Sequence, residues 1–117
     1  MPTIRELVTT IRHREGVDAA VVLGRDGLLI DGQGDAALDL EHVAAHIPSI
    51  LTTADEFAAA SARGALTSAI LELASGIALV SVLSEDAVLL VLLQPGANVG
   101  PLLYELRRNR EQMASLV

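Results

Sequence analysis

The chain has no cysteine, no lysine and no tryptophan, and Phe57 and Tyr104 are its only aromatic residues. Without cysteine there is no disulfide framework and no thiolate zinc site, and nothing points to an oxidising compartment. Without lysine, arginine is the sole full-time cation. Eight arginines stand against fifteen acidic residues, for a net charge of −7. The arginines sit in small groups rather than along one stripe, which argues against generic binding to nucleic acid or an anionic membrane. Long apolar runs are also missing. The longest, residues 87–93, is far short of the ~20 residues of a membrane span. Residues 1–6 lack the apolar stretch of a signal peptide. The expectation is a cytoplasmic protein with no membrane insertion.

What the chain has instead is aliphatic residues. Apolar types other than glycine make up 51%, where soluble domains average roughly 45–50% with glycine included. At 117 residues the chain is one domain, 1–117, large enough to bury a core without staples. So much Ala, Val, Leu and Ile is hard to hide in one small monomer. Homo-oligomerisation is the simplest outlet.

Thr3 and Glu6 form a capping box ahead of Ile4, Leu7, Val8 and Ile11 at helical spacing. Gly16 is a left-handed stop. A strand over 17–23, a type I′ turn at Asp26-Gly27 and a short returning strand over 28–30 come next. The segment 31–35 ends that strand. Asp39 caps a long helix reaching Arg63, with Gly64 closing it. Strands at 66–73, 77–83 and 87–93 come after it, and Gly100-Pro101 opens a last helix. The order αββαβββα is an α/β (α+β) arrangement. Its last three strands are too closely spaced for crossovers and make an antiparallel meander. Strands 17–23 and 87–93 are apolar on both faces and suit central positions. The more polar 28–31 and 66–73 suit edges.

The second helix, 39–63, carries the functional signal. Val43, Ile47, Ile50, Ala54, Phe57 and Ser61 form one seam at spacings of four and three. Leu40, Ala44, Leu51, Ala58 and Ala62 form a second. Together they are wider than one sheet contact requires. Either the helix is sunk into its own core, or one seam packs on the sheet while the other meets a partner. Chain length and apolar content favour the second reading. Pro48 should kink this helix. The edge strand 66–73 has neither lysine nor proline to deter pairing with another chain. The expected dimer or partner interface is therefore Val43, Ile47, Ile50, Ala54, Phe57, Ser61, Thr67, Ser68, Ala69 and Ile70.

With its element order, the turn Leu23-Gly24-Arg25-Asp26-Gly27-Leu28, the apolar second helix and the strand 87–93 followed by Gly-Ala-Asn-Val-Gly, the chain resembles a Roadblock/LC7 domain. That resemblance implies a profilin-like, five-stranded antiparallel sheet of order 2-1-5-4-3 with helices on both faces. It implies a homodimer through the second helix and third strand. It also implies a non-enzymatic regulator or scaffold for a small Ras-like GTPase, docking on the paired second helices.

Other chemistry has little support. His42 and His46, beside Glu41, could contribute two metal ligands, short of the three or four a site needs. Two adjacent helices in a dimer would bring four histidines together. The segment Gly32-Gln33-Gly34-Asp35-Ala36-Ala37 mimics a dinucleotide fingerprint without its strand and helix context, and reads as a flexible loop. No nucleophile elbow or acid–base pair is present, so no catalytic residue, cofactor or metal is expected. Arg107, Arg108 and Arg110 read as a solvated face near a helix C-terminus. Arg25 and Arg63 have nothing in context to set them apart from surface arginines. The alternative function is a small-molecule sensor of PAS or GAF type, but it would want aromatics and convergent polar groups in an apolar pocket.

Overall fold

The computed structural model describes residues 3–117; the reading of Met1 and Pro2 as part of a leaderless start lies outside them. The sheet has five strands: β1 (Val17–Gly24), β2 (Leu29–Gly34), β3 (Ser68–Leu73), β4 (Gly76–Val82) and β5 (Ala87–Leu93). Every pairing is antiparallel and the order is β2-β1-β5-β4-β3, as expected, with β2 and β3 at the edges.

Helices cover both faces. On one lie α1 (Ile4–Arg12), α4 (Gly100–Arg108) and α5 (Arg110–Ala114). Val8, Ile11, Leu102, Leu106 and Met113 pack there on Val22, Leu79, Leu89 and Val91. On the other lie α2 (Leu40–Ala45) and α3 (Ile47–Ala60). There Ala44, Ile47 and Leu51 pack on Val21, Leu23, Val80, Val88 and Leu90. The central strands therefore send apolar side chains both ways, which is why they read as continuous hydrophobic runs.

The local signals hold at the helix starts. The Glu6 N–H donates to Thr3 Oγ1 at 3.1 Å, and the His42 N–H donates to Asp39 Oδ1 at 3.2 Å. Five expectations need correction. The single helix 39–63 is two helices, broken at His46. Pro48 lacks the N–H that would bond the Ala44 carbonyl, so it starts a new helix in its first turn instead of kinking an old one. The last helix is likewise broken at Asn109, a residue type that competes for backbone hydrogen bonds.

The β1–β2 turn is not type I′. Only Gly27 has positive φ, +93°, while Asp26 does not. The Gly27 N–H donates to the Gly24 carbonyl and the Gly24 N–H to the Leu28 carbonyl, 2.9 and 2.8 Å. That is a three-residue loop with glycine at the left-handed position.

The glycine-rich segment is not a loop. Strand β2 runs through Gly32 to Gly34, because α2 lies directly on it. A Cβ at Gly34 would sit 2.9 Å from Ala19 Cβ and 3.2 Å from Leu40 Cδ2, and one at Gly32 would sit 3.2 Å from Leu40 Cδ1. These glycines admit the helix and cradle no phosphate.

Helix α3 ends before Gly64. The Arg63 N–H donates to the Ala58 carbonyl and the Ala62 N–H to the Ala59 carbonyl, both at 3.2 Å. This Schellman closure puts Ala62 in the left-handed region, φ 56°. For an L-residue that costs about 1–2 kcal/mol, and glycine would give part of it back to unfolded-state entropy. Ala62→Gly is therefore expected to stabilise the fold by about 0.5–1 kcal/mol, seen as a rise in the urea midpoint at unchanged m-value.

Candidate partner interface

The expected interface residues divide between core and surface. Ile47 is 4% exposed and belongs to the chain's own core. Val43 and Ile50 are half-buried against that same core, and Ala54 is half-buried. Phe57 is 63% exposed, and Ser61 is exposed too. The buried stripe of α3 thus takes members of both seams, and Phe57, six residues past Leu51, is turned about 120° away from it at about 3.6 residues per turn. The reason lies in the helical period. All of these residues from Ile47 onward belong to the one helix α3, whose inward line runs through Ile47 and Leu51. At about 3.6 residues per turn, a seam spaced by fours and threes drifts away from that line by the time it reaches Phe57.

Strand β3 is the other half. Ala69 faces Val80 and Leu71 faces Ala78 in register, which puts both on the α2–α3 side. Ser68, Ile70 and Glu72 pair with Ser81, Leu79 and Ile77 and point to the α1–α4 side. Ile70 and Leu73 are 46% and 58% exposed; Thr67 is also exposed, and Ser68 and Ala69 are half-buried. The Val82 N–H donates to the Thr67 carbonyl at 3.0 Å. Antiparallel alternation then turns the backbone groups of 69, 71 and 73 toward β4, and those of Ser68, Ile70 and Glu72 outward. The free edge is therefore an ordered row of donors and acceptors at 68, 70 and 72. Sequence reasoning stopped one outward residue early, at Ile70. Strict alternation along the strand would have supplied Glu72.

Charged contacts fix the platform behind this edge. Arg25, in the β1–β2 turn, bonds Asp55 of α3 through its guanidinium, and its N–H donates to the Asp86 carbonyl at 2.8 Å. Arg25 is thus a tie between hairpin, helix and the β4–β5 turn. Gly27 brings the hairpin tip against Pro48, where an added Cβ would lie 3.0 Å from Cγ. Arg63 is exposed. His42 and His46 meet edge to face with ring centroids 5.0 Å apart. No group of three or more potential metal ligands occurs among the described residues. A groove of about 300 Å³ lies between α1 and α4–α5, floored by Leu7, Ile11, Leu102 and Leu106 and bordered by the Arg14–Glu105 ion pair. It lies between helices, away from both Phe57 and the β3 edge. No described helix is long and apolar enough to cross a membrane.

The family model for the Roadblock/LC7 domain matches residues 3–93. The chain belongs to the Roadblock/LC7 domain family. The same fold appears in a Roadblock/LC7 domain from Streptomyces avermitilis, at 22% identity over 97% of both chains and a TM-score of 0.85. The gliding protein MglB of Thermus thermophilus is 15% identical, covering 96% of this chain and 86% of its own, with a TM-score of 0.82. MglC of Myxococcus xanthus is 21% identical over 97% and 98%, with a TM-score of 0.65. One further MglB structure, 16% identical with a TM-score of 0.83 over 96% of this chain and 85% of its own, has a tetrameric arrangement. No curated protein matches this Roadblock/LC7 domain by sequence.

Proposed function

We propose that this Roadblock/LC7 domain is a non-enzymatic homodimeric module that binds a small Ras-like GTPase. The observation that carries the reading is the free edge of β3, with outward backbone groups at Ser68, Ile70 and Glu72 and exposed Ile70 beside them. Such an edge, without lysine, proline or a covering helix, is a template for a second strand. A copy of the same strand would extend the sheet to ten strands and bring two copies of α3 together. The paired helices, with Phe57 exposed on each, then make the composite surface for the GTPase. The family supports this partner class, and the MglB and MglC neighbours share the fold on which it is built. Exposed aromatics are the residue type that most often dominates binding energy at such surfaces.

Phe57→Ala tests the docking surface without disturbing the core. Immobilised wild-type protein is expected to retain a Ras-like GTPase loaded with a GTP analogue. The variant should bind it about tenfold or more weakly, a loss of about 1.4 kcal/mol or more. Equal retention by both would move the docking surface away from α3. A strict monomer at micromolar concentration in sedimentation would overturn the dimer itself.

A further inference from the structure

Of the arginine cluster at the C-terminal helices, Arg107 and Arg108 are exposed as expected and Arg110 is not. Arg107 and Arg108 stand in the last turn of α4, where cations complement the helix dipole. That reason does not extend to Arg110, which lies past the break at Asn109 and opens α5. Its Nε and Nη2 are shut off from water, and neither has a hydrogen-bond partner. Among the described residues Arg110 forms no ion pair either. Buried N–H groups on a charged side chain are costly to leave unpaired.

The two orphaned donors are not scattered. Nε–H and Nη2–H share one edge of the guanidinium plane and point the same way. This is the fork that receives two oxygens of a carboxylate or phosphate in parallel bonds. A surface concavity of about 390 Å³ is lined by Arg107, Arg108, Arg110, Glu111 and Gln112. Three guanidinium charges against one carboxylate leave two positive charges there, in a chain whose net charge is −7.

We propose that this concavity is an oxyanion site for a phosphate-type dianion, with the Arg110 fork as its centre and Arg107 and Arg108 as flanking cations. A phosphate monoester or inorganic phosphate carries close to two negative charges near neutrality and matches the residual charge of the lining. Because the donors of the fork are closed to water in the free chain, a phosphate reaches them only with a rotamer change of the side chains over them, a movement that long side chains such as those lining the concavity allow. The site takes a free phosphate or phosphate monoester in preference to a lipid headgroup, because the acidic remainder of the chain repels an anionic bilayer. The region lies beyond residues 3–93, the stretch matched by the family model.

Calorimetric titration of the full chain with sodium phosphate, at neutral pH and ionic strength held constant with sodium chloride, tests the proposal. Wild type is expected to show saturable binding of one phosphate per chain, and phosphate is expected to raise the thermal midpoint where chloride does not. Arg110→Gln should weaken binding about tenfold and Arg107→Gln about threefold, while Arg63→Gln leaves it unchanged. If circular dichroism shows Arg110→Gln unfolded, the double variant Arg107→Gln/Arg108→Gln decides in its place. Absence of saturable heat in wild type, or undiminished binding in the variants, overturns the site. Phosphatidylcholine vesicles carrying phosphatidic acid are expected not to co-sediment with the protein. Co-sedimentation would replace the free phosphate by a lipid source.

Discussion

Leu51→Ala is expected to destabilise the fold by about 3 kcal/mol, within the ~2–5 kcal/mol range for truncating a buried leucine. Leu51 is 1% exposed and sits among Val21, Val80, Val88 and Leu90 beneath α3. Removing its isobutyl group loses the transfer free energy of the deleted atoms. It also leaves a cavity that the strands cannot close, since their positions are fixed by ladders on both sides. For a domain of this size the loss corresponds to a fall of roughly 10–15 °C in the thermal midpoint. Urea unfolding at several protein concentrations is the appropriate measurement, because stability of a dimer would depend on concentration. The comparison that gives the result meaning is Phe57→Ala, six residues further along the same helix. At 63% exposure its truncation should change monomer stability by no more than about 0.5 kcal/mol. If Leu51→Ala cost less than Phe57→Ala in dilute monomer, the assignment of inner and outer faces of α3 would be inverted.

That assignment could not have been read from the sequence, and the reason is physical. Strand β5 was legible residue for residue, because a strand buried on both faces declares itself as an unbroken apolar run. Strand polarity and short connections separated central from edge strands and gave the closing meander, while the full sheet order came with the family resemblance. The capping residues Thr3 and Asp39 were legible because a cap acts within four residues of itself. The features that were lost depended on contacts between distant segments. Gly32 and Gly34 looked like a loop because the reason for them, Leu40 of α2 pressing on the strand, lies on another element. Pro48 looked like a kink because a kinked helix and a restarted one differ only in the phase of the residues beyond the proline. The inward line of α3 runs through Ile47 and Leu51, one from each of the two seams, because at about 3.6 residues per turn the stripe that meets the sheet lies between them. Arg110 was read as solvated because a guanidinium's burial depends on packing at a helix break that the sequence did not announce.

Replacing Ile70 by proline is expected to raise the homodimer dissociation constant about 100-fold while leaving the monomer folded. The direction of the Ile70 backbone decides this. The Thr67 carbonyl accepts from Val82, so the N–H of residue 70 points away from β4, and proline removes no bond of the native ladder. Edge strands tolerate proline at such outward positions. A partner strand does not, because the outward N–H is the donor it needs. Symmetry sets which residues meet. Of the two-fold registers open to two antiparallel copies of β3, the one centred on Ile70 uses all three outward residues. It pairs Ile70 with Ile70 and Ser68 with Glu72 in both directions. A register centred on Ala69 or Leu71 leaves one outward residue of each strand unpaired within β3. In the centred register the proline variant loses two bonds at the axis, at ~1 kcal/mol each, and adds a steric clash between facing rings.

The same geometry supports a positive test. Residues exchanging both backbone bonds have Cα atoms about 5.5 Å apart, within the reach of a disulfide. The chain contains no cysteine, so Ile70→Cys supplies a single thiol per chain. Mild oxidation should convert most of that variant to a covalent dimer, whereas Leu73→Cys, far from the axis in this register, should cross-link poorly. Efficient cross-linking at 73 with little at 70 would shift the register. A dimer that survives Ile70→Pro, resists cross-linking at both sites and falls apart with Phe57→Ala would place the contact on α3 alone. The ten-stranded sheet, and the side-by-side helices that form the proposed GTPase platform, would then have to be abandoned together.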